Sequence, residues 1–417
     1  MTNIELAKGT KNIEPELKLI RNRIISLITK TFELYGYSPL ETPTLQRFDV
    51  LASKYAGGAE ILKETFKLKD QGDRDLALRY DLTVPLSLYV ALNPQVKLPF
   101  KRYEIGKVFR DGPISTVRFR EFWQCDADIV GSSSILVDAE CVNLFSTVFK
   151  ELNLDIVIKV NNRKILDGIM DYSNIPNELR DSVILVIDKL EKIGIEGLKK
   201  ELKEKKLSLE QIDKLVKLMD VKGNNKEKLN SIKKFIKDNQ GIKEFEELIK
   251  YAPQIEFDLS LARGLSYYTG SIFEVKLKNS EMKVTVASGG RYDNMIGDFL
   301  QNGQKYPAVG ISFGLDRIEL LMKAEGKTLT KVYVIPIKQT EKASEIVQEL
   351  RNNSINSDMD LMDRSISKNL DYANTYGIPY VVFVGEDEVK KNKFKLRDMK
   401  SGKEELLDIK DIVKKLQ

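Results

Sequence analysis

The residues of this 417-residue chain best suited to chemistry are arginines set close to carboxylates. The run FREFWQCDADIV, residues 119–130, reads as a strand, so Arg120, Phe122, Gln124, Asp126 and Asp128 share one face. Glu121, Trp123, Cys125, Ala127 and Ile129 take the other, and Trp123 is expected to pack. A strand inside a soluble domain normally gives a face to apolar groups, so the polar row is either solvent-exposed or the floor of a ligand site. Arg110 closes the preceding strand, across a loop from Arg118 and Arg120. Guanidinium groups beside carboxylates suit a phosphate or carboxylate clamp, although structural ion pairs give the same composition.

Three further pieces carry glycine beside arginine or tyrosine. LARGLSYYTG, residues 261–270, sets Arg263, Tyr267 and Tyr268 between or beside Gly264 and Gly270. SGGRYDN occupies 288–294, and AVGISFGLDRIELL, 308–321, carries Arg317 in the first turn of a helix, where it can stack on a planar ring. Taken singly, each piece also reads as a turn with a surface arginine, and a tyrosine pair as packing.

The elements that must position these residues follow from periodicity. Apolar spacing predicts a helix over Glu14–Tyr35, ended by Gly36, and Pro39 and Pro43 make Ser38–Arg47 extended. Residues 99–110 and 119–130 form an antiparallel hairpin, and the Lys-, Glu- and Leu-rich run 188–250 a helical module. Strands are expected at 256–263, 271–277, 283–288 and 307–313, with a helix starting near Gly314. From Lys331 strands and helices alternate, which predicts a small parallel or mixed α/β domain. The basic run at 390–403 either touches a nucleic acid or solvates a hairpin, and its mixed setting favours the hairpin.

Composition narrows the chemistry. The chain contains no histidine, which removes imidazole bases, His-ligated metals and Ser-His-Asp systems. Its two cysteines, Cys125 and Cys141, are too few for a disulfide framework or a four-thiolate zinc site. What remains is carboxylate, guanidinium, ammonium, phenol and backbone, a set suited to phosphate-bearing substrates. A net charge of +5 permits nucleic-acid binding without arguing for it. The longest uncharged stretch, Leu82–Val96, is broken by Pro85, Asn93 and Pro94, so no membrane span and no membrane partner are expected. The N-terminal run has no apolar core of the signal-peptide kind, and a cytoplasmic location is expected. The length itself predicts two or three domains.

Together and in this order, the pieces resemble the class II aminoacyl-tRNA synthetases, and within them the histidyl-tRNA synthetases, over nearly the whole chain. The stretch around Pro43 is similar to class II motif 1, the hairpin with Arg110 to motif 2 and GISFGLDR to motif 3, while LARGLSYYTG and SGGRYD resemble the histidine-specific signatures. The resemblance implies an α/β fold with an α+β catalytic core, an antiparallel sheet flanked by helices, in two parts at 1–168 and 253–326. It also implies a helical insertion at 169–252 and a C-terminal α/β anticodon-binding domain at 327–417.

The implied activity joins L-histidine to ATP and passes it to tRNA(His), with Mg²⁺ accompanying ATP and two copies forming a homodimer. Catalytic roles would fall to Arg110 and Arg263, the latter where other class II enzymes place a metal. Asp81, Thr83, Gln124, Asp128, Tyr267 and Tyr268 would bind histidine, with Asp128 and Tyr268 at the two ring nitrogens. Arg110, Arg118, Arg263 and Arg317 would bind ATP, and the resemblance leaves any metal ligands open. The stretch FRDGP is shorter than the usual arginine-plus-glutamate pattern, so the loop meeting the tRNA end is expected to differ.

Because the substrate's carboxylate is already ionised, forming an adenylate needs no general base, and a chain without histidine can perform it. An enzyme of this kind that needs none of its product for its own translation is one reading of that absence, and compositional drift is the other. The alternative function is a catalytically silent relative regulating histidine biosynthesis; such relatives lack an equivalent of Arg263 and the C-terminal domain, and this chain has both.

Overall fold

A computed structural model describes residues 4–52, 62–263, 267–278, 284–322 and 327–417. Gly264, one of the glycines bracketing the tyrosine pair, and the first residue of the strand expected at 283–288 lie outside them. The first helix runs Pro15–Leu34, and the chain leaves it through Gly36 at a φ of +78°, which a side chain would resist. Strands β1 (Ser38–Pro39) and β2 (Leu45–Arg47) follow, kept short by prolines that cannot donate to a ladder. With β3 (Lys67–Lys69) and β4 (Asp75–Leu78), β2 makes a three-stranded antiparallel sheet.

The expected hairpin is present as β5 (Phe100–Phe109) and β6 (Glu121–Val130), in continuous register from Phe100 opposite Val130 to Phe109 opposite Glu121. It joins β7 (Ile156–Asn162), β8 (Ile255–Phe257), β9 (Ser271–Leu277), β10 (Thr285–Arg291) and β11 (Ala308–Gly314). Together with β1 they form an eight-stranded sheet ordered β1-β5-β6-β11-β10-β9-β7-β8, with parallel pairs only at its two ends. The apolar face of this sheet meets the helix Ile135–Glu151, where the Phe145 and Phe149 rings approach Phe313 at 5.4 and 5.7 Å. The opposite face carries the polar row and is free for a ligand.

Two differences from the expected elements have local causes. The strand expected at 256–263 ends at Phe257, because Asp258 turns the chain by accepting from Ser260 N–H (3.0 Å) and Ser260 Oγ (2.6 Å). Helix begins well before residue 188: Arg163–Tyr172 and Asn177–Ile187 are helical, with Ile165, Leu166, Ile169, Val183 and Ile187 buried. The helices between β7 and β8 continue to Tyr251, two of them started by capping boxes at Ser208/Gln211 and Asn224/Glu227.

The chain divides into two compact units, Met1–Lys11 with Arg23–Leu321 and Asn12–Asn22 with Met322–Gln417. In the second, β12 (Val332–Pro336), β13 (Ser357–Met359), β14 (Tyr380–Val384), β15 (Phe394–Asp398) and β16 (Glu404–Leu407) form a mixed sheet ordered β13-β12-β14-β15-β16. The basic run does end in a hairpin, β15–β16, and its charges are largely matched: Lys395 and Arg397 face Glu404, and Lys390 pairs with Glu386. Among the described residues no helix is long and apolar enough to cross a membrane.

Candidate active site

Register makes the ligand floor. Gln124 lies between Gly106 and Gly314, Asp126 between Glu104 and Ser312, and Asp128 between Arg102 and Gly310. Most of these neighbours are small, so room is left above the middle of the sheet. Asp126 is 3% exposed and Asp128 1%, so this part of the row is not a solvated one. A Cβ on Gly310 would stand 1.9 Å from Asp128 Oδ1, and one on Gly290 2.6 Å from the Tyr268 ring, so both glycines keep space that the polar side chains occupy.

Above the floor lies a chamber of about 110 Å³. Asp81, Thr83, Arg110, Gln124, Asp128, Arg263, Tyr267 and Tyr268 all line it. Asp81 and Thr83 come from the start of the helix Thr83–Leu92, where Asp81 Oδ1 accepts from Val84 N–H at 3.1 Å. The Tyr267 and Tyr268 rings lie with centroids 4.8 Å apart, tilted by 59°. A larger cleft of about 640 Å³ adjoins the chamber and shares Arg110, Gln124, Arg263, Ser288 and Ser312 with it. Arg118 and Arg317 line the cleft alone. Every residue expected at the site therefore borders one cavity or the other.

Each arginine is held in its own way. Arg110 donates through Nε to the Tyr80 carbonyl (3.0 Å) and lies 5.2 Å from the Phe122 ring centroid. Arg317 donates to the Thr285 carbonyl at 2.6 Å. Burial lowers the pKa of both, and for Arg317 the neighbouring Arg263 and Arg110 lower it further. Two cations so placed favour an incoming anion. Arg263 has a φ of +47°, rare for a side chain, and its N–H donates to Asp188 Oδ1 at 2.9 Å. Arg118 is engaged with Glu64 at 2.8 Å, and Arg120 pairs with Asp111 and lines neither cavity.

The carboxylates show the converse. Burial pushes Asp81 up to about 6 against its N–H bond and Arg110. Burial likewise raises Asp128, opposed by Arg102, and raises Asp126 well above the usual range. Asp128 Oδ1 accepts from the Tyr292 hydroxyl at 2.6 Å, and Oδ2 lies 2.9 Å from Arg102 Nη2.

Sequence reasoning put Asp126 on the right face but gave it no role, and it passed over Tyr292, Ser288, Ser312 and Glu274, all of which line the cavities. Strand alternation carried the signal for Ser288 and Ser312; Tyr292 lies within the stretch SGGRYD, which gave it no role of its own. Arg291 beside it is no surface arginine: it is buried and paired with Asp138. Trp123, expected to pack away from the floor, borders the larger cleft.

Comparison with known proteins gives a consistent result. The sequence model of histidyl-tRNA synthetase matches residues 9–318, and that of an anticodon binding domain matches 331–417. A histidine–tRNA ligase of Bacillus cereus is 44% identical, over 97% of this chain and 97% of its own length. One from Clostridium tetani is 37% identical over 97% and 96%. The crystal structure of a histidyl-tRNA synthetase from Nostoc superposes with a TM-score of 0.87 at 30% identity, covering 100% of this chain and 99% of that one.

Proposed function

The chain belongs to the histidyl-tRNA synthetase family, and on that premise we propose how its residues divide the work of activating L-histidine with ATP and passing it to tRNA. The observation that carries the reading is the junction: a small carboxylate-lined chamber opens past Arg110 and Arg263 into an arginine-lined cleft. An amino acid in the chamber and a nucleotide in the cleft would meet at those two guanidinium groups.

In this reading the α-ammonium of histidine lies with Asp81, Thr83 and Gln124, and its ring lies among Tyr267, Tyr268 and the β6 carboxylates, Asp128 included. The substrate carboxylate attacks the α-phosphorus of ATP, the bond to the bridging oxygen breaks and pyrophosphate leaves. Negative charge grows on the phosphorus oxygens as this happens. Arg110 and Arg263 stabilise it, and no proton need move, so a site without imidazole suffices. Arg317 stacks on adenine and reaches the terminal phosphate, while Arg118 contributes at the outer wall. Arg110 and Arg317, both disfavoured as cations by burial, gain a counter-charge when ATP binds.

Magnesium would travel with the phosphates, screening their charge, and needs few protein ligands. Glu274, on the cleft wall and bonded at 2.7 Å by Thr285 Oγ1, is the carboxylate that would hold it. The second unit would read the anticodon of tRNA(His). A cytoplasmic homodimer completes the proposal. ATP–pyrophosphate exchange with each amino acid in turn tests it: exchange with histidine alone is expected, and exchange driven by another amino acid, or by none, would overturn it.

A further inference from the structure

The loop that delivers Arg263 to the junction of the two cavities is held from two sides. On the core side, Asp258 pairs with Lys159 of β7 at 2.7 Å, and Asn161 Nδ2 of the same strand donates to the Leu259 and Leu261 carbonyls at 3.2 and 2.9 Å. Those anchors stop short of Arg263. Its own N–H donates, at 2.9 Å, to Oδ1 of Asp188, the residue that ends the helix Asn177–Ile187. The helices between β7 and β8 therefore hold the backbone from which this guanidinium is carried.

Arg263 needs such a hold. It stands at a φ of +47°, a left-handed conformation that a residue with a Cβ leaves unless a partner fixes it. Return to an ordinary φ would redirect a side chain that borders both the chamber and the cleft. Asp188 lines the same cleft and adds negative potential there. Burial weakens Arg263 as a cation, but Tyr268, Glu274, Tyr267 and Asp188 outweigh it, whereas Arg110 and Arg317 stay below the usual range. The next turn of chain repeats the pattern. Glu191, in the first turn of the helix Leu190–Glu204, pairs with Lys276 of β9, which pairs in turn with Glu274 on the cleft wall at 3.2 Å.

We propose that Asp188 is a positioning residue for activation: by accepting the Arg263 N–H it keeps that arginine facing the α-phosphorus, and so makes the helical insertion part of the catalytic apparatus. This rests on reading Arg263 as an arginine that meets the α-phosphate. Because the bond is to a backbone N–H, an amide oxygen serves in place of the carboxylate. The effect belongs to turnover, where charge develops on phosphorus, more than to ground-state binding.

The test is pyrophosphate exchange by the full-length enzyme with histidine. Asp188→Ala should lower kcat by about tenfold, with the KM for histidine and for ATP and the melting temperature little changed. Asp188→Asn should keep most of the activity, since its side chain can accept the same N–H. Adding Asp188→Ala to Arg263→Ala should cost nothing further, because the residue being positioned is already gone. Asp188→Leu, close to asparagine in shape but without an acceptor, carries the alanine expectation should alanine fail to fold. An unchanged kcat in a folded alanine or leucine variant would overturn the proposal. So would an equal loss with and without Arg263, or a defect in Asp188→Asn as deep as in alanine. Near-normal exchange by Arg263→Ala alone would instead sink the reading of Arg263 on which the proposal stands.

Discussion

Two buried aspartates, one on the eight-stranded sheet and one just past β13 of the five-stranded sheet, are treated in opposite ways. In the five-stranded sheet's unit, Asp360 accepts from the N–H groups of Met362 (3.1 Å) and Arg364 (2.5 Å) and from Asn369 Nδ2 (3.2 Å). Burial pushes its pKa up, but those donors outweigh it and hold the carboxyl below its ordinary value. Asp126, on the eight-stranded sheet, has no such set of donors and is pushed well above. The faces around them differ likewise. Val332, Val334, Val382, Val384 and Leu396 pack one side of the smaller sheet, and Tyr333, Ile335, Val381 and Phe383 the other. The larger sheet buries Arg102, Glu104, Asp126 and Asp128 on a single face. One sheet is packed by apolar side chains on both sides, and the other gathers buried acceptors and cations on one face, where a ligand can meet them.

Variants can sharpen or break that contrast. The largest effect is expected from Arg263→Ala, which should slow pyrophosphate exchange about 10²-fold or more while ATP still binds, as for loss of a transition-state donor. Near-normal exchange would remove Arg263 from the chemistry. A smaller effect is expected at Asp81. Its pKa of about 6, against an ordinary 3.8, means the folded state favours the protonated form. The stabilisation is therefore full below about pH 4 and lost as pH rises through 6, whereas an ammonium needs the ionised form. Asp81→Asn should melt at a higher temperature than the unaltered protein at pH 8, the gap closing below pH 4, and should weaken histidine binding several-fold or more. A variant that melts lower at pH 8 would contradict the idea of a site kept at the expense of stability. The smallest effect on activity belongs to Val382→Ala, in the packed sheet. It should cost about 1–3 kcal/mol of stability, read by urea unfolding, with exchange kinetics unchanged. A change in the KM for histidine would show that the smaller sheet is not purely structural in this reaction.

Much of this was legible before any coordinates. Alternation along 119–130 identified the floor because a strand in the middle of a sheet has only two faces, and one was polar at every position but Phe122. The hairpin, the first helix and the alternating C-terminal elements follow from periodicities that tertiary packing did not override. Less legible was the start of the helical run, where Asn177–Ile187 ends in the apolar series VILVI and reads as readily as strand. The separate fates of Asp126 and Asp128 could not be read at all. They depend on Arg102 across one ladder and on Tyr292, 164 residues away, so only the assembled sheet distinguishes two acids two positions apart.

The walls of the chamber contain no imidazole, nor does the rest of the chain. Any aromatic ring-carbon proton of that type in a magnetic-resonance spectrum of the loaded protein must come from the substrate. With isotope-labelled substrate, its tautomer and state of charge can thus be observed with no imidazole of the polypeptide to compete.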